Sequence, residues 1–165
     1  MKKYELTAEF IEKWGKKLFR IKALISFGSV EAGELGGYIE KEDNLAHDGN
    51  AWVYGDAEVC GNARVYGDAE VCGNARVYGN ADYLLIGRIG SRFSFTTFFK
   101  NKDKGITVSC GCFLGTIAEF RAKVTDTHGN NKHAKMYNLA ADMAELQILG
   151  EEYFDKLNTN KSEPF

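Results

Sequence analysis

Between residues 51 and 82 apolar and polar positions repeat in sixes. Alanine stands at Ala51, Ala57, Ala63, Ala69, Ala75 and Ala81, and valine at Val53, Val59, Val65, Val71 and Val77. One other residue separates each pair, and every valine is followed by Tyr or Cys and then Gly-Asp or Gly-Asn. Ala-x-Val has the period of two that sends both apolar side chains to one face of a short strand. Gly with Asp or Asn tolerates left-handed backbone, so each strand is expected to end in a corner. A unit this small cannot bury its apolar side alone and must stack on its neighbours. Three strands and three corners make a coil of eighteen residues, and a finer pattern tests that number. Stacking at eighteen sets Glu58 beside Arg76, Arg64 beside Asp82, Glu70 beside Arg88, Tyr54 beside Cys72 and Cys60 beside Tyr78. Opposite charges in register on adjacent strands add about 0.2–1 kcal/mol each, whereas a coil of twelve would set like charge on like.

The rest of the chain reads as covers for the two ends of this prism, whose strand edges and apolar side chains would otherwise be exposed. Residues 1–37 form an N-terminal cap, with Thr7 as N-cap of a short helix over 8–14 that carries Phe10, Ile11 and Trp14, followed by a strand over 18–27. Residues 38–90 hold the coils, about three turns. Ile39 and Leu45 occupy places later taken by alanine, and His47 a place later taken by valine, where a hydrogen-bonded structural histidine is expected. Residues 91–155 form a C-terminal α+β domain. A β-hairpin joins 94–99 to 106–113, then Thr116 and Glu119 form a capping box opening a helix with Ile117, Phe120 and Val124 on one face. That helix ends at His128-Gly129, and a second follows over 131–149 with Tyr137, Ala141, Ala144 and Ile148 at helical spacing. Residues 156–165 are expected to be a flexible tail.

Composition narrows the function classes. The chain has 165 residues, 44% of them apolar, which suits one or two small domains, and a net charge of -2 gives no general affinity for nucleic acid or membrane. The exception is local: Lys2, Lys3, Lys13, Lys16, Lys17, Arg20 and Lys22 face only Glu5, Glu9 and Glu12 before Gly28, a surplus of four positive charges. Nucleic acid is possible only through this basic segment, whose plain reading is a solvated face. No apolar run reaches membrane length, the N-terminus lacks the pattern of a signal peptide, and the four cysteines show no paired spacing, so a cytoplasmic, reducing location is expected.

An aliphatic residue followed four places later by a small one, as in Val53 with Ala57 and Val59 with Ala63, resembles the hexapeptide-repeat left-handed parallel β-helix. The expected fold class is therefore mainly β, a short left-handed parallel β-helix of about three coils with an N-terminal cap and a C-terminal α+β cap. Further segments extend the resemblance over nearly the whole chain: Gly36-Gly-Tyr-Ile-Glu-Lys, Asp48-Gly-Asn-Ala-Trp-Val-Tyr-Gly, Ile86-Gly-Arg-Ile-Gly-Ser-Arg, Thr96-Thr-Phe, Val108-Ser-Cys-Gly-Cys-Phe-Leu-Gly-Thr and Thr127-His-Gly. Together they are similar to a group of bacterial and prophage hexapeptide-repeat proteins often labelled polymer-forming or transferase-like. The resemblance implies a role in the contest between phage and host, inside a bacterial or phage-infected cell.

Three functions compete. The favoured one is a non-catalytic, oligomeric binding protein, a dimer or trimer without cofactor, that binds and blocks a host macromolecule such as a defence nuclease complex. Its partner-binding candidates are the outward aromatics Trp52, Tyr54, Tyr66 and Tyr78, together with Arg92. Ser91, Arg92, Thr96 and Thr97 cluster donors where a small anionic ligand could sit, Arg92 being suited to clamp a carboxylate or phosphate. The alternative is a CoA-dependent acyltransferase, although the clear hexads contain no histidine to serve as general base; a structural, polymer-forming scaffold is a second alternative. No metal is expected. Cys110, Cys112, His128 and His133 are weak ligand candidates, because Cys-x-Cys on a strand points its thiols to opposite faces.

Overall fold

The computed structural model describes residues 1–161 of the chain, and side chains as far as residue 159. Among the described residues, eleven strands and three α-helices are distributed over two compact units, one of residues 1–82 with 101–103, the other of residues 83–100 with 104 onward.

The first unit opens with a hairpin of β1 (Tyr4–Lys13) and β2 (Lys16–Ala23). Lys13 pairs with Lys16 across Trp14-Gly15, both with positive φ, the two-residue geometry whose twist suits a hairpin. The helix expected over 8–14 is thus a strand. Phe10 and Ile11 face Phe19 and Leu18 across the pair, and that pairing overrides a short helical spacing. β2 pairs antiparallel with β3 (Leu35–Ile39). The repeats then contribute four two-residue strands: β4 (Trp52–Val53), β5 (Glu58–Val59), β6 (Glu70–Val71) and β7 (Arg76–Val77). β3, β5 and β7 continue the first sheet in parallel, giving the order β1-β2-β3-β5-β7, while β4 and β6 pair in parallel by themselves.

The register within the repeats is eighteen residues: Glu58 lies opposite Arg76, Val59 opposite Val77, Trp52 opposite Glu70 and Val53 opposite Val71. Glu58 Oε2 stands 3.4 Å from Arg76 Nε, and Tyr78 donates to the same oxygen at 2.9 Å. Val53, Val59, Val65, Val71 and Val77, with the alanines from Ala51 to Ala75, are at most 1% exposed. The architecture expected around this register is nevertheless overturned. The sheets are mixed and antiparallel, three α-helices are present among the described residues, and the fold is α/β rather than a left-handed parallel β-helix with caps. Parallel pairing along the repeats is limited to ladders of two residues, and the longer antiparallel strands from both ends of the chain set the sheet topology.

The second unit carries an antiparallel sheet of order β11-β10-β9-β8, built from β8 (Tyr83–Ile89), β9 (Ser94–Lys100), β10 (Ile106–Cys110) and β11 (Phe113–Thr116). Three helices follow: α1 (Ile117–His128), α2 (Lys132–Leu149) and α3 (Glu151–Lys161). The β9–β10 pairing and the first two helices match the sequence reading, but the strand expected over 106–113 ends at Cys110 and turns back into β11, and residues 156–161 are helical where the sequence predicts a flexible tail; the remainder of that tail, 162–165, lies outside the described residues. Phe98 and Val108 on the sheet, Phe120 and Val124 on α1, and Tyr137, Ala141, Ala144 and Ile148 on α2 form one core. Arg121 joins the two longer helices, reaching Asp142 and Glu145 of α2 at 2.7 Å each.

The α1 capping box is complete: Glu119 N–H donates to Thr116 Oγ1 at 3.2 Å, and Thr116 N–H donates back to Glu119 Oε2 at 2.8 Å. Thr116→Ala is expected to cost about 1 kcal/mol, read as a lower urea midpoint at unchanged slope. The Thr116 N–H first, and then the Thr116 hydroxyl, which donates to the same Oε2 at 3.0 Å and is lost in the alanine variant, hold the Glu119 carboxyl below the usual glutamate range. This part of the cap is therefore present above that range and lost as pH falls through the lowered pKa, so the penalty of Thr116→Ala should shrink in acid.

Candidate functional site

A cleft of about 220 Å³ opens in the second unit where the β8–β9 turn, the β10–β11 turn and the helices α1 and α2 converge. Each wall follows from local sequence. The β8–β9 turn carries Ser91 and Arg92, with Gly90 at φ +78 immediately before them. Gly90 is required twice over, because besides its left-handed backbone a Cβ there would collide with the Tyr137 hydroxyl. β10 ends at Cys110, which pairs with Phe113 across Gly111-Cys112; Gly111 has φ +59, so the chain reverses in two residues. Cys112 sits in that turn instead of on a strand. Both thiols consequently line the same cleft, contrary to the opposite faces expected of Cys-x-Cys.

On α1, Lys123, Thr127 and His128 lie beside the core positions Phe120 and Val124 and bring a cation, a hydroxyl and an imidazole to the rim. The floor is aromatic. Tyr137 meets Phe120 edge-on at 5.6 Å and stacks on His128 at 5.8 Å, and Phe113 packs on Phe120 at 5.7 Å. The Tyr137 hydroxyl is pushed up by burial first and then by its proximity and hydrogen bond to Cys110, with Arg92 pulling the other way. It stays a neutral phenol at any ordinary pH. Cys110 Sγ also accepts a hydrogen bond from Thr96 Oγ1 at 3.2 Å. Among the described residues lining the cleft, Arg92 and Lys123 are cationic and none is a carboxylate.

The structure thus divides the sequence candidates. Ser91, Arg92, Cys110, Cys112 and His128 come together in the cleft. Thr96 and Thr97 are buried in β9, Thr96 behind the wall, and neither reaches the cavity. His133 stands behind His128 with ring centroids 5.6 Å apart, its Nδ1 buried without a hydrogen-bond partner. Among the described residues no three His, Cys, Asp or Glu side chains are grouped so as to hold a metal ion. Lys123, Phe113 and Tyr137 are site residues that sequence reasoning does not single out. The available signal is the placement of Lys123 and Thr127 four residues apart, next to the apolar face of α1.

The aromatic candidates of the first unit separate as well. Trp52, expected to face outward, is fully buried, because Phe27 and Tyr4 meet its indole edge-on at 5.4 and 6.1 Å and cover that side of the strand. Tyr54 is half-buried against Ser29, and Tyr78 is held by Glu58 and the edge of Trp14. Only Tyr66 of the four is largely exposed, at 55%. His47 is structural as expected: its Nδ1 accepts the Lys3 backbone N–H at 3.1 Å and its ring stacks on Tyr4 at 4.3 Å. No helix among the described residues is long and apolar enough to cross a membrane. No protein-family model matches the sequence, and no curated protein matches it.

Proposed function

We propose that the protein is a binding protein without a catalytic step, and that the cleft of its second unit takes a small anion or the anionic group of a larger ligand. One observation carries this reading: Arg92, Lys123 and His128 surround a cavity with an aromatic floor and no lining carboxylate. Guanidinium offers two parallel donors to a carboxylate or phosphate, Lys123 adds a point charge, and Ser91, Ser94 and Thr127 supply neutral hydroxyls around them. The rings of Phe113, Phe120 and Tyr137 suit an apolar or aromatic portion of the same ligand. Cys110 and Cys112 are read as thiols that shape the cleft, in keeping with a reducing, cytoplasmic setting. In the phage-related setting that the resemblance to prophage proteins implies, the anion would belong to a host component and the protein would act by occupancy.

The test is titration calorimetry and thermal shift with inorganic phosphate, nucleoside monophosphates and aromatic carboxylates. At least one anion is expected to raise the melting temperature. Arg92→Ala is expected to weaken that binding roughly tenfold or more, with binding by the parent protein falling as salt rises. No response to any anion, or equal affinity in Arg92→Ala, would sink the proposal.

A further inference from the structure

Helix α2 has a second apolar stripe opposite its core face. Leu139, Met143 and Leu146 are 63%, 56% and 45% exposed, and Met136 extends the row toward the N-terminus. The spacing is three, four, three, the a/d pattern by which one helix receives the side chains of another. The row is also symmetric about residue 141. Turned end for end onto itself, it sets Met136 against Leu146 and Leu139 against Met143 of a second copy. Charge follows the same symmetry. Lys132 and Lys135 stand exposed at the N-terminal end, and Glu151 and Glu152 stand exposed directly beyond the C-terminal end. None of the four makes an ion pair among the described residues, and the two lysines oppose the helix dipole where they are.

The geometry points to a homodimer in which α2 of one copy packs antiparallel on α2 of another, with Lys132 and Lys135 facing Glu151 and Glu152 across the interface. The arrangement is isologous, so one patch serves both sides. Parallel pairing would set lysine beside lysine and glutamate beside glutamate. The stripe from Met136 to Leu146 is about 15 Å long, which places the contact at the small end of specific interfaces and the association in a reversible range. This inference rests on α2 and the first two residues of α3 and is independent of the ligand reading.

Sedimentation and light scattering on the full chain test it. A concentration-dependent monomer–dimer equilibrium is expected, and Leu139→Glu should leave a monomer with unchanged far-ultraviolet circular dichroism and melting temperature measured under monomeric conditions, since the position is exposed. Lys132→Glu with Lys135→Glu should weaken the dimer roughly tenfold, and adding Glu151→Lys with Glu152→Lys should restore it. A strictly monomeric parent protein, a trimer, or a dimer that survives Leu139→Glu overturns the interface. A quadruple variant as weak as the double one overturns the antiparallel orientation.

Discussion

Replacing Trp52 with alanine is expected to destabilise the first unit by about 3–5 kcal/mol, the range for removing a fully buried large aromatic. That is a large part of the roughly 5–15 kcal/mol that holds a small domain folded. The indole is 0% exposed and is enclosed by Tyr4, Phe27 and the backbone of Gly36. A Cβ at Gly36 would lie 2.7 Å from the indole Cζ2 and 2.6 Å from Ile21, so glycine is what permits β3 to approach this closely. Residues on three segments rest on one side chain, and the site cannot collapse readily when it is removed. Trp52→Phe provides the comparison. The indole N–H is buried without a hydrogen-bond partner, so phenylalanine removes volume but no hydrogen bond and should cost far less than alanine. Urea unfolding followed by circular dichroism reads both. Equal losses in the two variants, or a loss under about 1 kcal/mol for alanine, would mean that the N-terminal segment does not rely on the indole.

The same residue marks where sequence reasoning stops. Alternation within Ala51-Trp52-Val53 locates the inward alanine and valine correctly, and it assigns Trp52 to the opposite side. What the alternation cannot reveal is that Phe27 and Tyr4 return to cover that side, a contact between residues 25 and 48 positions apart. The eighteen-residue register is legible for a related reason: the charges of Glu58 and Arg76 repeat at fixed spacing and select it locally. The architecture built on that register is not. Short identical beats suggest a solenoid running the length of the repeats, yet each beat pairs over two residues, while the antiparallel strands β1, β2, β8, β9 and β10 pair over longer stretches. Trp14-Gly15 is also a weak turn signal beside Asn-Gly, and the helical spacing of Phe10, Ile11 and Trp14 misdirects the reading there.

For α1 and α2 of the second unit local signals agree with the outcome, and the element types follow. Thr116 with Glu119 starts α1, Gly129 ends it, and Asn131 caps α2, accepting from the backbone N–H of His133 and Ala134. The cleft is only half legible. Ser91 and Arg92 form a visible donor cluster in sequence, but Lys123 and Tyr137 join them through tertiary packing of α1 and α2 against the sheet.

Gly90→Ala is expected to destabilise the second unit by about 2–4 kcal/mol and to abolish anion binding in the cleft. Two costs combine. Alanine at φ +78 carries roughly 1–2 kcal/mol of left-handed strain, and its methyl carbon would overlap the Tyr137 hydroxyl, so either the turn or the ring must move. Tyr137 is the worse place for a shift, because the same ring packs on Phe120, stacks on His128 and hydrogen-bonds Cys110. Movement of the turn instead displaces Ser91 and Arg92, and either route deforms the cationic wall. Gly111→Ala separates the two costs, since Gly111 has φ +59 and nothing lies within 4 Å of the place its methyl carbon would take. It should show the backbone strain alone, about 1–2 kcal/mol in urea unfolding. Equal losses at Gly90 and Gly111 would mean that the turn accommodates the methyl group without disturbing Tyr137, and anion binding should then survive in Gly90→Ala.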